Sequence, residues 1–266
     1  MNETTPTYDV LIVGGGVVGT ALLYTISKYT DIKNIGLIEK YSDFGLVNSA
    51  SYNNSQTLHF GDIETNYSLE KAKSVKRMAD MVMQYLESEK DPTERKELFS
   101  KFSKMVLAVG TGQVQELKKR YPAFSELFPK LKMIEREEIG KIEPRVLEGR
   151  DPGQEILALV TEDGYTVDFK RLCHSFVDNA LRNNPDLEIH LNTKLIKISK
   201  SEDQFTVLTS KGEVRASVVV IAAGGHSLLI AKSLGYGKNL SVLSMAGSFY
   251  TAPKVLNGKV YTLQKA

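Results

Sequence analysis

Cysteine is nearly absent: Cys173 is the single one in the chain. No internal disulfide can form, and the composition fits a reducing, cytoplasmic compartment. Long apolar runs are missing as well. The longest are strand-sized, far below the roughly 20 residues that a membrane helix needs. Residues 1–6 carry neither a basic region nor an apolar signal core, so no export signal is expected there. An excess of one charge is also lacking. There are 34 Lys and Arg against 32 Asp and Glu, a formal net charge of +2 with the signs interspersed, so nucleic acid is not an expected partner. No His, Cys, Asp and Glu fall at metal-ligand spacing, and no repeat or low-complexity tract is present. What remains is 266 residues of 42% hydrophobic content, enough for one large core or two smaller ones.

Glycine, by contrast, stands at telling positions. Val10 to Val13 form a short apolar run of the kind a strand buried on both faces shows. Gly14, Gly16 and Gly19 follow it. Gly14 permits a tight turn, Gly16 keeps the backbone open to a pyrophosphate, and Gly19 lets a helix over about 17–29 pack closely. That helix would offer its N-terminal N–H groups to phosphate. A second apolar strand from Ile35 ends at Glu39, twenty residues after Gly19, where a carboxylate accepts from a ribose diol and repels a 2′-phosphate. A third, Ser217 to Ala223, ends in Gly224-Gly225. A glycine pair at the end of a buried strand suits close approach of a ligand. Two glycine-ended strands shift the expectation from a nicotinamide dehydrogenase to an FAD enzyme.

Between these motifs the chain reads as a second, inserted domain. A polar loop over 48–61 is too rich in hydrogen-bonding side chains to be core. A helix is expected over 69–87, with Val75, Met78, Ala79, Val82, Tyr85 and Leu86 on one stripe. The segment 90–95 reads as a charged turn, 102–109 as a strand, 113–121 as a helix stopped by Pro122, and 137–144 as a short helix. Ile156 to Thr161 is a strand, 164–168 a turn, and 169–183 an amphipathic helix containing Cys173, a small buried thiol. Strands over 188–191, 195–201, 205–209 and 214–223 complete the pattern. The nucleotide domain is thus expected in 1–65 and 160–238, and the inserted domain in 66–159 and 239–266.

Further residues resemble the malate:quinone oxidoreductases, FAD-dependent members of the D-amino-acid-oxidase-like superfamily. Besides the glycine fingerprint, the resemblance rests on Asn53-Asn54, Thr57, His59 and the Glu64, Asn66, Tyr67 group; on the segment Leu147 to Pro152; and on 246–250 and 258–261. It runs along essentially the whole chain. Gln56 and Leu58 depart from the commonest form of the first loop, where smaller residues stand. The resemblance implies an α/β fold: a Rossmann-like FAD-binding domain of the D-amino-acid-oxidase (GR2) type with an inserted α+β substrate domain. The chain stops well short of the family's length, so that domain is expected to be incomplete, and an inactive fragment is one rival reading. The implied reaction oxidises (S)-malate to oxaloacetate and passes electrons to a membrane quinone, from a cytoplasmic protein attached peripherally to the membrane. Another 2-hydroxy acid, such as 2-hydroxyglutarate, is the rival substrate.

Such an oxidation needs a base for the hydroxyl proton, and histidine suits. His59 is the candidate, because its loop follows the second strand and, in the superfamily the chain resembles, runs toward the flavin; a loop histidine hydrogen-bonded to backbone is the structural alternative. His226 follows the glycine pair and is expected as a cap or a surface residue. His174 and His190 fall in a helix and a strand away from the motifs. Arg150 is the candidate for a substrate carboxylate, which its fork can grip bidentately; pairing with Asp151 or Glu148 is the structural alternative. Asn48, Ser49, Ser51 and Asn54 offer short polar groups to the diphosphate and ribityl chain, with solvated loop residues as the alternative for each. Leu195 resembles the position whose backbone brackets the adenine, and Ala223 and Gly224 complete the expected cofactor set.

Overall fold

A computed structural model describes residues 5–201, 203–243, 247, 250 and 253–264. The chain divides into two compact units, 1–55 with 168–247, and 56–167 with 248–266.

The first unit is built on a six-stranded sheet. Its strands are β1 (Thr7–Val13), β2 (Ile35–Ile38), β7 (Glu188–His190), β8 (Leu195–Lys200), β9 (Phe205–Thr209) and β10 (Gly212–Ile221), in the order β7-β2-β1-β10-β9-β8. β1 runs parallel to both β2 and β10, and β2 parallel to β7, whereas β9 and β8 return antiparallel. Alternation along β1 sends Val10 and Ile12 to one face and Leu11 and Val13 to the other. On the first face they pack with Leu23, Cys173, Val177 and Ala180, from helices α1 (Val17–Tyr29) and α6 (Phe169–Asn183). On the second, Leu11 and Val13 meet Ile38, Ile198, Val207 and Ala216. Both helices begin where the sequence places them. Asp168 caps α6 by accepting from the Lys170 and Arg171 N–H groups.

The second unit holds a sheet in the order β11-β4-β6-β3, made of β3 (Thr57–Leu58), β4 (Phe99–Val109), β6 (Ile156–Val167) and β11 (Lys259–Thr262). The short strand β5 (Lys132–Glu135) also pairs with β6. β6 is one long strand, where the sequence suggests a strand and then a turn: Gly164 stays in line because the Phe102 carbonyl lies so close that a Cβ would meet it at 2.7 Å. The pairing of β3 with β6 groups residues 56–65 with this unit. It also buries Thr57, Leu58 and Phe60, so part of the expected polar loop is core.

Three further expectations need correction. Residues 92–98 form helix α3 (Pro92–Leu98) instead of a turn, with Asp91 accepting from the Thr93 and Glu94 N–H groups and proline at the first turn, a favourable start. Pro122 does not stop α4 (Thr111–Leu127). A proline inside a helix costs about 3 kcal/mol, which burial of Phe124 and Phe128 beyond it offsets at roughly 1.5–3 kcal/mol each. In α2 (Leu69–Glu87) the buried stripe is Ala72, Ala79, Met83 and Leu86, while Met78 is exposed. Part of the 246–250 segment that carries the family resemblance lies outside the described residues.

Candidate functional sites in the two units

In the first unit the site begins at the carboxyl end of β1, between β2 on one side and β10 on the other. Chain order reverses there, and open α/β sheets bind ligands at that point. Gly14 has φ +118°, and a Cβ on it would stand 2.4 Å from the Ala222 carbonyl. A Cβ on Gly19 would stand 1.9 Å from the Gly14 carbonyl. Both glycines are therefore required for α1 and β10 to close on the turn. Gly16 differs: a Cβ there would meet only Ser49 Oγ, at 3.8 Å. It opens onto free space at the N-terminus of α1, where the first-turn N–H groups of Val18 and Gly19 have no intrahelical acceptor.

Glu39 closes one side of this cradle. Its Oε2 accepts from the Gly15 N–H at 2.6 Å and its Oε1 from the Tyr41 N–H at 2.9 Å. An ionised carboxylate has about four acceptor positions, so two remain for a diol. Ser49 is buried and accepts the Val17 N–H at 3.1 Å, bracing the start of α1. Asn54 donates to the Asn48 and Ala50 carbonyls and so holds its own loop. Gly224 (φ +57°) lies beside the Asn48 amide, and Ala223 precedes it. Leu195 opens β8 and packs against the cluster of Val13 and Ile38. It comes two residues after Thr193, whose N–H donates to the Glu39 carbonyl. The structure thus gathers Gly14, Gly16, Gly19, Glu39, Ser49, Ala223 and Gly224 around one turn, while Asn54 bonds within its own loop and Leu195 packs against the core beneath β1 and β2. An unfilled cradle at Gly16, a helix N-terminus and a carboxylate with spare acceptor positions fit a dinucleotide diphosphate and ribose.

The loop after β2 lies over this turn. Its Gly45 N–H donates to the Gly15 carbonyl. Asp43 ties it to α6 through Lys170 at 2.8 Å and His174 Nε2 at 3.1 Å. His174 is therefore close to the glycine motif in space, although remote in sequence. His190 pairs with Tyr8 and Glu188 at the sheet edge. His226 is exposed at the start of helix α7 (Ser227–Ser233).

In the second unit His59 directly follows β3. Its Nδ1 stands 2.5 Å from Glu64 Oε1, with the imidazole 41% exposed and the Glu64 side chain 8% exposed. Around them lies a buried set of charges that motif spacing did not single out. Lys104 Nζ meets Asp62 Oδ1 at 2.7 Å, with both side chains shut from solvent. Burial pushes the Asp62 carboxyl up, and the Lys104 ammonium only partly offsets it. Arg120 donates to the carbonyls of Glu64, Thr65 and Tyr67; burial pushes its guanidinium down to about 10, against the charges of Glu64 and Asp62. Lys259 Nζ reaches Thr57 Oγ1 at 2.5 Å, and burial lowers that ammonium too. Lys104 could have been flagged from sequence, as a lysine at an inward position of an apolar strand. The other members depend on pairings across the sheet.

Arg150 is not brought to His59. It precedes β6, donating from Nε to the Val146 carbonyl at 2.5 Å, whereas β3 pairs with β6 at Tyr165 and Thr166. From Ile156 to Tyr165 a strand rises about 30 Å. Among the described residues no group of three or more His, Cys, Asp or Glu could hold a metal ion, and no helix is long and apolar enough to cross a membrane.

A family model described as malate:quinone oxidoreductase matches residues 6–262. A probable malate:quinone oxidoreductase from Campylobacter jejuni is 43% identical over 97% of this chain and 59% of that protein. A malate:quinone oxidoreductase from Helicobacter pylori is 38% identical over 97% of this chain and 58% of its own length. The chain thus spans under two thirds of these relatives. Among solved structures, glycine oxidase from Geobacillus kaustophilus superposes with a TM-score of 0.70 at 18% identity, covering 97% of this chain and 66% of that one. The L-alpha-glycerophosphate oxidase from Mycoplasma pneumoniae, solved with FAD bound, gives 0.69 at 22% identity, covering 96% and 65%. These likenesses are of fold, and the fold is the Rossmann-like type that the family resemblance implies.

Proposed function

We propose, from the premise that the chain belongs to the malate:quinone oxidoreductase family, that the first unit binds FAD and that the whole protein oxidises (S)-malate to oxaloacetate with a quinone as acceptor. The observation that carries the reading is the open cradle at Gly16, set between the α1 N-terminus and the buried Glu39 carboxylate. The diphosphate would lie against the α1 N–H groups and Gly14 to Gly16, with the adenosine ribose on Glu39. Ser49, Asn54, Leu195, Ala223 and Gly224 line or brace that site. Negative charge at Glu39 disfavours a 2′-phosphate, which speaks for FAD over NADP.

When bound, the flavin supplies the acceptor for the hydride from C2 of the hydroxy acid. His59 takes the hydroxyl proton, a role supported by its exposure and by its carboxylate partner. A dianionic acid near His59 would meet Lys259, whose ammonium reaches Thr57, two residues before His59. Arg150, kept apart along β6, is the weaker candidate for gripping a carboxylate. The protein is cytoplasmic in this reading and meets its quinone as a peripheral protein at the inner face of the membrane.

The visible spectrum, recorded before and after anaerobic addition of malate, tests the reading. Flavin bands are expected in the purified chain, and bleaching by malate in the whole protein. A chain that stays colourless after incubation with FAD overturns the cofactor assignment. Flavin that ignores malate but bleaches with 2-hydroxyglutarate overturns the substrate.

A further inference from the structure

We infer that Glu64 is the positioning residue for His59: its buried carboxylate holds the imidazole as the Nδ1–H tautomer and leaves Nε2 as the proton-accepting atom. The catalytic half of this inference rests on His59 as the base in the proposed reaction. The tautomer half stands on the second unit's own geometry.

The argument starts from the acceptor. Burial alone would push the Glu64 carboxyl up. The contact with His59 and the charge of Lys104 outweigh it and hold the group below the usual carboxylate range. An ionised carboxylate only accepts hydrogen bonds. The ring nitrogen 2.5 Å from Glu64 Oε1 is Nδ1, so Nδ1 must be the donor. Neutral imidazole carries one N–H. Its proton is therefore on Nδ1, and the lone pair on Nε2 is unshared among the described residues.

The carboxylate is itself held on a fixed backbone. Arg120 donates to the Glu64 carbonyl at 2.9 Å and to the Tyr67 carbonyl at 2.8 Å. Two residues upstream, Asp62 is pinned by Lys104. Downstream, Thr65 Oγ1 accepts the Gln264 N–H at 2.7 Å. One oxygen of Glu64 stays outside these contacts. Its Oε2 is buried without a hydrogen-bond partner among the described residues, as is Arg120 Nε. An unsatisfied buried acceptor is costly, and such groups are tolerated where a role requires them. The role the geometry offers is one bond, from the imidazole Nδ1–H to Oε1.

The test reads the proton directly. The chain has four histidines, so long-range ¹H–¹⁵N spectra of the FAD-loaded protein at high pH, where imidazole is neutral, can be assigned by loss of one ring in His59→Asn. The parent should show His59 as Nδ1–H. In Glu64→Gln, whose amide can donate as well as accept, that pattern should collapse to a mixture. In the whole protein, malate-driven flavin reduction should slow by about tenfold or more, with KM and flavin content unchanged, and Glu64→Asp should recover part of the rate. An Nε2–H tautomer in the parent overturns the inference without any variant, and so does an unchanged Nδ1–H pattern in Glu64→Gln. A full rate in His59→Asn would sink the base assignment alone and leave the tautomer result to judge Glu64.

Discussion

Replacing Lys104 by methionine removes the partner of a carboxylate that water cannot reach. Lys104 Nζ and Asp62 Oδ1 are 2.7 Å apart, with side-chain exposures of 0% and 4%. Breaking one side of such a pair typically costs about 3–5 kcal/mol, because the surviving charge is stranded. The upper bound follows from protonation. A stranded Asp62 can become neutral, and holding it so at pH 7 against an ordinary value near 3.9 costs about 4 kcal/mol. That bound falls by about 1.4 kcal/mol for each pH unit lowered. Lys104 pulls the Asp62 carboxyl down against burial, so its loss raises the folded-state value further. A group raised on folding stabilises fully below its unfolded pKa and loses that contribution as pH rises through the folded one. The Lys104→Met penalty should therefore be largest near pH 7–8 and shrink toward pH 5. Combining it with Asp62→Asn should recover most of the loss. Calorimetric unfolding of the two single variants and the double variant at both pH values gives the cycle. A penalty below about 1 kcal/mol at pH 7, or a double variant as unstable as the summed singles, would refute the stranded-charge reasoning.

The roles of Gly16 and Gly19 in the cradle separate by substitution. Gly16→Ala should weaken flavin binding with only a small loss of apoprotein melting temperature, because its Cβ meets nothing closer than 3.8 Å and alanine is merely a poorer N-cap for α1; Gly19→Ala should lower both strongly, its Cβ standing 1.9 Å from the Gly14 carbonyl. Cys173 is buried and its thiol is pushed up by that burial, so a disulfide reagent should label it only once denaturant has opened the fold. For Asp43, burial raises the carboxyl, but the Lys170 bond, the Phe44 N–H and His174 hold it below the ordinary value. Its contribution is then complete above about pH 4 and is lost as pH falls through the lowered value. Hydrogen exchange at Gly45 should accelerate at pH 3 relative to pH 6 beyond its intrinsic change, and Asp43→Asn should remove that extra sensitivity.

The first unit was legible because its determinants are local. Glycines at 14, 16 and 19 act on the turn they belong to, and α1 begins and ends where the spacing puts it. Glu39 sits one residue past β2, where the count from Gly19 placed it. The second unit resisted for the opposite reason. β3 is two residues long and is a strand only because β6, about a hundred positions away, supplies its partners. Pro122 reads as a stop by its own chemistry, yet the helix continues because the aromatic residues beyond it are buried. In α3 the signal was present, an aspartate followed by proline and a glutamate, and the charge of the segment masked it.

The same distinction explains what sequence could offer at the two sites. A dinucleotide cradle is made largely of backbone, so a few glycines and one acid announce it. The environment of His59 is made of side chains from β4, α4, β11 and the loop after β3, and each member looks ordinary in its own segment. Lys104 is one lysine in a strand, Arg120 one arginine in a charged helix, and Glu64 one acid in a loop. Only when β4 and β6 align do Asp62 and Lys104 become a closed pair. Only when α4 packs beside the loop does Arg120 grip the backbone that carries Glu64. Buried charges are expensive to assemble one at a time and tolerable together. An imidazole–carboxylate pair in such a setting depends on every member, so the loss of Lys104 or Arg120 should disturb His59 without either residue touching it.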